Sequence, residues 1–196
     1  MTDQATVTAL LGRLRSGDRQ ALGQLFPLVY DQLQAAAHIQ RRRQILAPTL
    51  NTTALVHEAY LKLAGGESAS FHDRAHFMAV AATAMRHILI GYARRKAASK
   101  RGGGLALLPL DEFRDGLSGG PEFDDSKAVA LIALDRALAR LEKQSARQSR
   151  IVECRFFGGM SIEETAGALG ISVATVKREW VVARAWLFRE IQEDLR

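Results

Sequence analysis

The chain has 196 residues, of which 47% are hydrophobic and 24% charged, a composition that excludes disorder throughout and suits one domain or two small ones. Its formal net charge of +6 is compatible with a polyanionic partner, and its single cysteine, Cys154, excludes an internal disulfide and a cysteine-based zinc site. There is no signal-peptide pattern and no run of about 18 apolar residues, so we expect a cytoplasmic protein without membrane contact.

Helix-favouring residues dominate and strand signals are sparse, so the sequence predicts an all-α fold. One amphipathic helix starts near Asp18, a candidate N-cap, and Pro27 is expected either to kink this helix or to mark its true start. A second helix is predicted from Thr52 to Leu63. A third helix, over about 75–96, is apolar on two sides and is therefore expected at the centre of a bundle.

Residues 102–126 break the helical pattern, because two glycine-rich clusters frame an acidic stretch. They are predicted to form a flexible linker between a domain of residues 1–101 and a domain of residues 127–196. The stretch before the linker is basic, with Arg86, Arg94, Arg95, Lys96, Lys100 and Arg101 and no acid among them. This polarity along the chain is more informative about partners than the net charge.

The segment from Gly158 onward has the pattern of a helix-turn-helix. Ser161 and Glu164 match a capping box, and Gly170 permits a tight turn. Ser172 can cap the next helix. That helix has an apolar stripe, formed by Val176, Trp180, Ala183 and Leu187. The opposite face is predicted to lie in the DNA major groove.

The predicted DNA contacts of this second helix are Ser172, Ala174, Thr175, Lys177, Arg178 and Arg184. Arg178 is the candidate for a base contact, because a guanidinium can bind guanine at two points. Lys177, Arg184 and Arg189 are interpreted as phosphate contacts. Glu179 either accepts a hydrogen bond from a cytosine amino group or pairs with a nearby Lys or Arg.

Two long segments that precede this motif, TALVHEAYLKL and RAHFMAVAATAMRHILIGYARRKAASKRGG, resemble the extracytoplasmic-function (ECF) group of sigma-70-type initiation factors. With the helix-turn-helix, the resemblance covers about residues 8–100 and 127–193. It implies two small helical domains, similar to sigma regions 2 and 4. It also implies a protein that binds core RNA polymerase and directs promoter recognition, melting and initiation, with no catalytic activity, cofactor or metal. An anti-sigma factor is a further partner that the family suggests.

The resemblance assigns roles to two surfaces of the first domain. The second helix would dock on the clamp helices of the largest polymerase subunit through Leu55, Val56, Glu58, Tyr60 and Leu61. The loop over about 65–76 would capture a flipped base of the minus-ten element, and the third helix would melt and recognise that element. The implied DNA contacts are Phe71, His72, Arg74, Arg86, Tyr92, Arg94, Arg95 and Lys96. Rings and cations of this kind can hold an unstacked strand.

One departure from the family concerns the residues before the docking helix, where many relatives carry acids. This chain has Asn51, Thr52, Thr53 and Ala54 there. One hypothesis is that a Ser/Thr kinase phosphorylates Thr52 or Thr53, which would add a charge of about −1.5 to −2. The alternative is that one of these threonines simply caps the helix.

Other classes of function have weaker support. A free-standing helix-turn-helix regulator is the alternative, but such proteins are usually dimers and no dimer element is evident. A DNA enzyme such as a recombinase has no nucleophile or carboxylate constellation to support it. A zincin site is excluded because Leu61 stands where H-E-x-x-H needs its second histidine. Cys154 is predicted to be inert core.

Overall fold

The computed structural model describes residues 2–43, 50–64, 71, 73–99 and 125–195. The helices are α1 (Thr2–Arg15), α2 (Gln20–Arg42), α3 (Thr52–Ala64), α4 (Arg74–Ser99), α5 (Asp125–Gln144), α6 (Ala146–Val152), α7 (Ile162–Leu169) and α8 (Val173–Asp194). A π-helical turn, Glu153–Phe157, follows α6 directly. The all-α prediction is confirmed. Of the predicted linker, residues 102–124 lie outside the described residues, and Asp125 and Ser126 belong to α5.

A tight turn joins α1 to α2. Gly17 adopts a φ of +93°, in the region that favours glycine. The Asp18 carboxylate accepts hydrogen bonds from Arg13 Nε and Nη2 at 2.9 and 2.7 Å and from the Gln20 amide at 3.0 Å. The bond from Arg13 holds the pKa of Asp18 below its ordinary value. Asp18 thus supports the first turn of α2, although the N-cap position is the residue after it.

The other predicted helices of the N-terminal part are confirmed with shifted ends. α2 continues through Pro27, so the hypothesis that this proline marks the start of the helix is wrong. α4 begins at Arg74, where the Asp73 carboxylate accepts a hydrogen bond from the His76 amide at 2.7 Å. Arg74 and His76 therefore lie in the first turn of α4 and not in the predicted loop.

α4 lies at the centre of the molecule, as predicted. It packs against α1 and α3 of the first half (α1–α4) and against α5, the π-helical turn and α7 of the second half (α5–α8). Its buried residues include Phe77, Met78, Ala81, Ala82, Ala84, Met85, Ile88 and Leu89. The buried apolar core is therefore continuous from one half to the other.

Candidate nucleic-acid interface

α7, the turn at Gly170 and α8 form the predicted helix-turn-helix. Ser161 Oγ accepts a hydrogen bond from the Glu164 amide at 3.0 Å, and Glu164 Oε2 accepts one from the Ser161 amide at 2.7 Å, which confirms the capping box. Gly170 has a φ of +63°, as the predicted turn requires. Ser172 Oγ accepts a hydrogen bond from the Thr175 amide at 3.2 Å and caps α8.

α8 separates a buried face from an exposed one. The predicted stripe of Val176, Trp180, Ala183 and Leu187 is buried. The exposed residues of the other face include Ala174, Lys177, Arg178, Val181, Val182, Ala185, Phe188 and Arg189. Ser172 is also exposed, and Thr175 and Arg184 are half-buried. The Arg178 side chain is 71% exposed near the start of the helix, so its guanidinium can approach a base edge, and its Nη2 atom lies 3.9 Å from Glu179 Oε1.

Glu179 lies on the same helix but faces the protein. Arg147 Nε donates to Glu179 Oε2 at 2.8 Å, and Arg147 Nη2 donates to Glu179 Oε1. These bonds raise the pKa of the Arg147 guanidinium. Of the two hypotheses for Glu179, pairing with an arginine is therefore confirmed. The pair joins α6 to α8 and fixes the helix on its support.

Two arginines of α4 bind an acid of α5. Arg86 is 8% exposed and donates to Asp135 and Glu153, whereas Arg94 is 64% exposed and donates to Asp135 Oδ2 at 3.0 Å. Burial by itself lowers the pKa of Arg86, but the hydrogen bonds to the two carboxylates outweigh it and raise that pKa. Arg86 is thus held inside the protein and not on the surface that the resemblance implies.

Tyr92 joins α4 to α3. Its hydroxyl donates to Glu58 Oε1 at 2.8 Å, which raises the pKa of Tyr92. Arg95 Cζ lies 4.2 Å from the centroid of the Tyr92 ring, so a guanidinium already covers one face of that ring. Lys96 is half-buried on the next turn. At the other end of α4, Arg74 Nε donates to a glutamine of α2 at 2.9 Å.

Phe71 belongs to the core in this structure. It is fully buried, and its ring centroid lies 5.0 Å from that of Phe77 in an edge-to-face arrangement. The prediction that Phe71 offers an accessible ring to an unstacked base is therefore not met in this conformation, because an apolar ring next to Phe77 gains more from burial. Residues 65–70 and His72 lie outside the described residues.

α3 presents a narrower surface than predicted. Leu61 is 65% exposed, and Glu58 and Tyr60 are half-buried. Leu55 and Val56 are fully buried where α3 packs against α2 and α4, so these two predicted polymerase contacts are part of the core. The exposed leucine is the apolar feature that remains available to a partner.

The first turn of α3 is capped by the residue before it. Asn51 Oδ1 accepts a hydrogen bond from the Ala54 amide at 2.8 Å, so the prediction that Thr52 or Thr53 caps the helix is wrong. Thr52 is 6% exposed, whereas Thr53 is exposed. Of the two threonines, Thr53 is the one that a kinase could reach in this conformation.

Two acids that contact α4 were not found from the sequence. Asp135 and Glu153 lie 49 and 67 residues from Arg86, and no local spacing connects residues so far apart. For Glu153 there was a sequence signal, because its carboxylate stands within residues 151–157, which are otherwise mostly hydrophobic. A buried charge in such a run requires a partner.

Cys154 is buried, as predicted, and burial raises its pKa to about 12. Its thiol therefore stays protonated at neutral pH and is a poor nucleophile. Among the residues that the structure describes, no group of three His, Cys, Asp or Glu could hold a metal ion. None of the described helices is long and apolar enough to cross a bilayer.

Comparison with known proteins identifies a family. A family model described as "ECF sigma factor" matches residues 4–193, which include both halves. No curated protein matches the chain. The family match thus extends from α1 through the helix-turn-helix.

Proposed function

Because the chain belongs to the ECF sigma factor family and so acts in transcription initiation as a DNA-binding factor, we propose that it binds core RNA polymerase and directs it to specific promoters. In this proposal α8 reads the minus-thirty-five element, α4 contacts the minus-ten element, and α3 docks on the clamp helices. The observation that carries the proposal is the capped helix-turn-helix with an exposed, cation-bearing face on α8.

The start of α8 supports direct reading of bases. Ser172 and Thr175 lie in its first turn, where amides and hydroxyls can bind phosphate oxygens. Arg178 follows one turn later on the exposed face, at the position from which a recognition helix presents side chains to base edges. Lys177 and Arg189 add exposed positive charge for phosphates.

The α3 surface supports docking on the polymerase. Leu61 is a large apolar residue that is 65% exposed, and it lies three residues after the half-buried Glu58 and directly after the half-buried Tyr60. An exposed apolar residue with exposed polar neighbours, here His57 and Lys62, is a suitable anchor for an interface. Substitution of this exposed residue should leave the fold intact.

Co-elution with sigma-free core polymerase on size exclusion tests this proposal. We expect the wild-type chain to co-elute and Leu61→Glu to lose most of its binding, because a charge then enters the apolar centre of the interface. Ala139→Glu, at an exposed position of α5, adds the same charge elsewhere and should bind like wild type. If the folded wild-type chain does not bind at micromolar concentration, the free-standing regulator becomes the better description.

Thr53 offers a way to strengthen this docking. We propose that phosphorylation of Thr53 adds the negative charge that α3 lacks at its N-terminal end, where the helix dipole favours an anion. Thr53→Glu should raise the affinity for core polymerase several-fold relative to Thr53→Ala in a titration. Thr52→Ser is the control, because Thr52 is buried. Equal affinities for Thr53→Glu and Thr53→Ala would reject the switch.

A further inference from the structure

Arg86 of α4 is held between two carboxylates of the second half. Its Nε and Nη2 atoms donate to Asp135 Oδ1 at 3.0 and 2.7 Å, and its Nη1 atom donates to Glu153 Oε1 at 2.6 Å. All three nitrogens of this guanidinium are thus engaged. The side chains of Asp135 and Glu153 are 15% and 7% exposed, so the ion pairs are largely shielded from water.

The remaining oxygens of the two carboxylates are also bound. Asp135 Oδ2 accepts the hydrogen bond from Arg94. Glu153 Oε2 accepts one from Thr83 Oγ1 at 3.0 Å and lies 3.5 Å from Arg150 Nη1. Arg86, Arg94 and Thr83 all belong to α4. The second half therefore holds one face of α4 through every oxygen of Asp135 and Glu153.

A second polar contact joins the halves at the end of α2. Gln40 Nε2 donates to the carbonyl oxygens of Phe156 and Phe157 at 2.6 and 2.9 Å, and Arg43 Nη1 donates to that of Phe156 at 2.5 Å. The last carbonyls of a helix lack helical partners. Gln40 of α2 and Arg43, the residue directly after this helix, supply those partners here, so this contact is specific and not merely apolar.

We propose that Asp135 and Glu153 form an intramolecular latch that holds Arg86 and Arg94 of α4 in the free protein, so that the two halves must separate before this face of α4 can bind a DNA strand. The reason is that the two carboxylates and the phosphates of DNA compete for the same guanidinium groups. While the latch is closed, every nitrogen of the Arg86 guanidinium donates to a carboxylate and the side chain is only 8% exposed, so a phosphate or a base does not reach it, and Arg94 shares Asp135 with it. The latch rests on the proposed function in one respect, which is that the ligand that competes with the carboxylates is DNA.

Small-angle X-ray scattering of the full chain tests the closed state. A compact chain of 196 residues has an expected radius of gyration of about 16 Å. We expect that value for wild type and an increase of several Å for the double variant Asp135→Asn/Glu153→Gln, which keeps the side-chain shapes. The control is Glu190→Gln/Asp194→Asn, which removes two carboxylates that bind Arg140 within the second half. This control should remain compact.

Fluorescence anisotropy with a single-stranded DNA oligonucleotide, without polymerase, tests the competition. The latch variant should bind about tenfold or more tightly than the control at the same salt concentration, although both gain the same net charge. A circular dichroism spectrum establishes that the helices persist. If the double variant loses its helices, Asp135→Asn with Asp194→Asn as its control gives the same comparison at a more exposed acid.

An unchanged radius and an affinity equal to that of the control would overturn the latch. These results are independent of core binding. Expansion of the latch variant in a chain that does not bind core polymerase would keep the latch and reject the proposed function. If the latch variant stays compact and the chain does bind the polymerase, the latch is rejected and the proposed function is kept.

Discussion

Lys177 and Arg178 are adjacent exposed cations on α8, and we predict that they act differently. Arg178→Ala should reduce discrimination at one guanine of the minus-thirty-five element by about 1–3 kcal/mol, because a bidentate base contact is lost. Lys177→Ala should weaken specific and non-specific binding alike and lower the slope of log affinity against log salt by about 1. Anisotropy titrations with single-base substitutions at several salt concentrations measure both quantities.

The two substitutions are controls for each other, since each removes one positive charge from the same turn. A uniform loss of affinity over all sequences for Arg178→Ala would reject its role as a base contact. Loss of discrimination in Lys177→Ala instead would move the base contact to that residue.

The partner of the Glu179 carboxylate could not be decided from the sequence. Helical periodicity places it beside the buried stripe, which leaves both DNA and protein within reach of a carboxylate. The choice depends on Arg147, which lies 32 residues away on another helix. For exposed side chains such as Arg178, in contrast, periodicity alone was sufficient, because the stripe at Val176 and Trp180 fixes the opposite face.

At the scale of elements, Gly159 and Gly170 form a matched pair. Both adopt a positive φ, +64° and +63°, but a Cβ at Gly159 would overlap Ile39 Cδ1 of α2, whereas one at Gly170 would meet nothing within 4 Å. Gly170→Ala should therefore lower the free energy of unfolding by about 1–2 kcal/mol through backbone strain alone. Gly159→Ala should lower it by a further ~0.5–1.5 kcal/mol, because the terminal Cδ1 of Ile39 must leave its rotamer to make room. Urea titrations measure both.

Combining each glycine substitution with Ile39→Val identifies the cause of the additional loss of stability, since valine lacks the Cδ1 atom. It should recover part of the additional loss in Gly159→Ala and none of the loss in Gly170→Ala. Equal losses at the two glycines would mean that the segment at Gly159 does not contact α2 in solution.

The helices and the caps of the helix-turn-helix were predictable because their causes are local. The capping box and the turn of the helix-turn-helix depend on residues within a few positions of each other, from Ser161 to Ser172. The π-helical turn was not predictable in the same way. Its terminal carbonyls are bound by Gln40 and Arg43, more than a hundred residues earlier. Helix ends also shifted where a loop residue such as Asp73 provided the cap.

At the scale of the whole molecule, the packing of the two halves was not evident from the sequence. A glycine-rich acidic stretch between them predicts independent domains, and composition gives no information on their contact. What joins them is one buried core together with ion pairs between residues that are distant along the chain. The apolar character of α4 on two sides was the sequence feature that anticipated this contact.

The continuous core predicts that the halves unfold together. Both tryptophans, Trp180 and Trp186, lie in α8, so their fluorescence reports on the second half, whereas far-ultraviolet circular dichroism reports on all helices. In urea, the two signals should give one transition with a common midpoint, because loss of either half exposes the apolar surface of the other. In Asp135→Asn/Glu153→Gln the two midpoints should separate, since Arg86 would then be a buried charge without a carboxylate partner at the contact between the halves and would weaken that contact. Separate midpoints already in wild type would show that the halves fold independently and that their contact contributes little to stability.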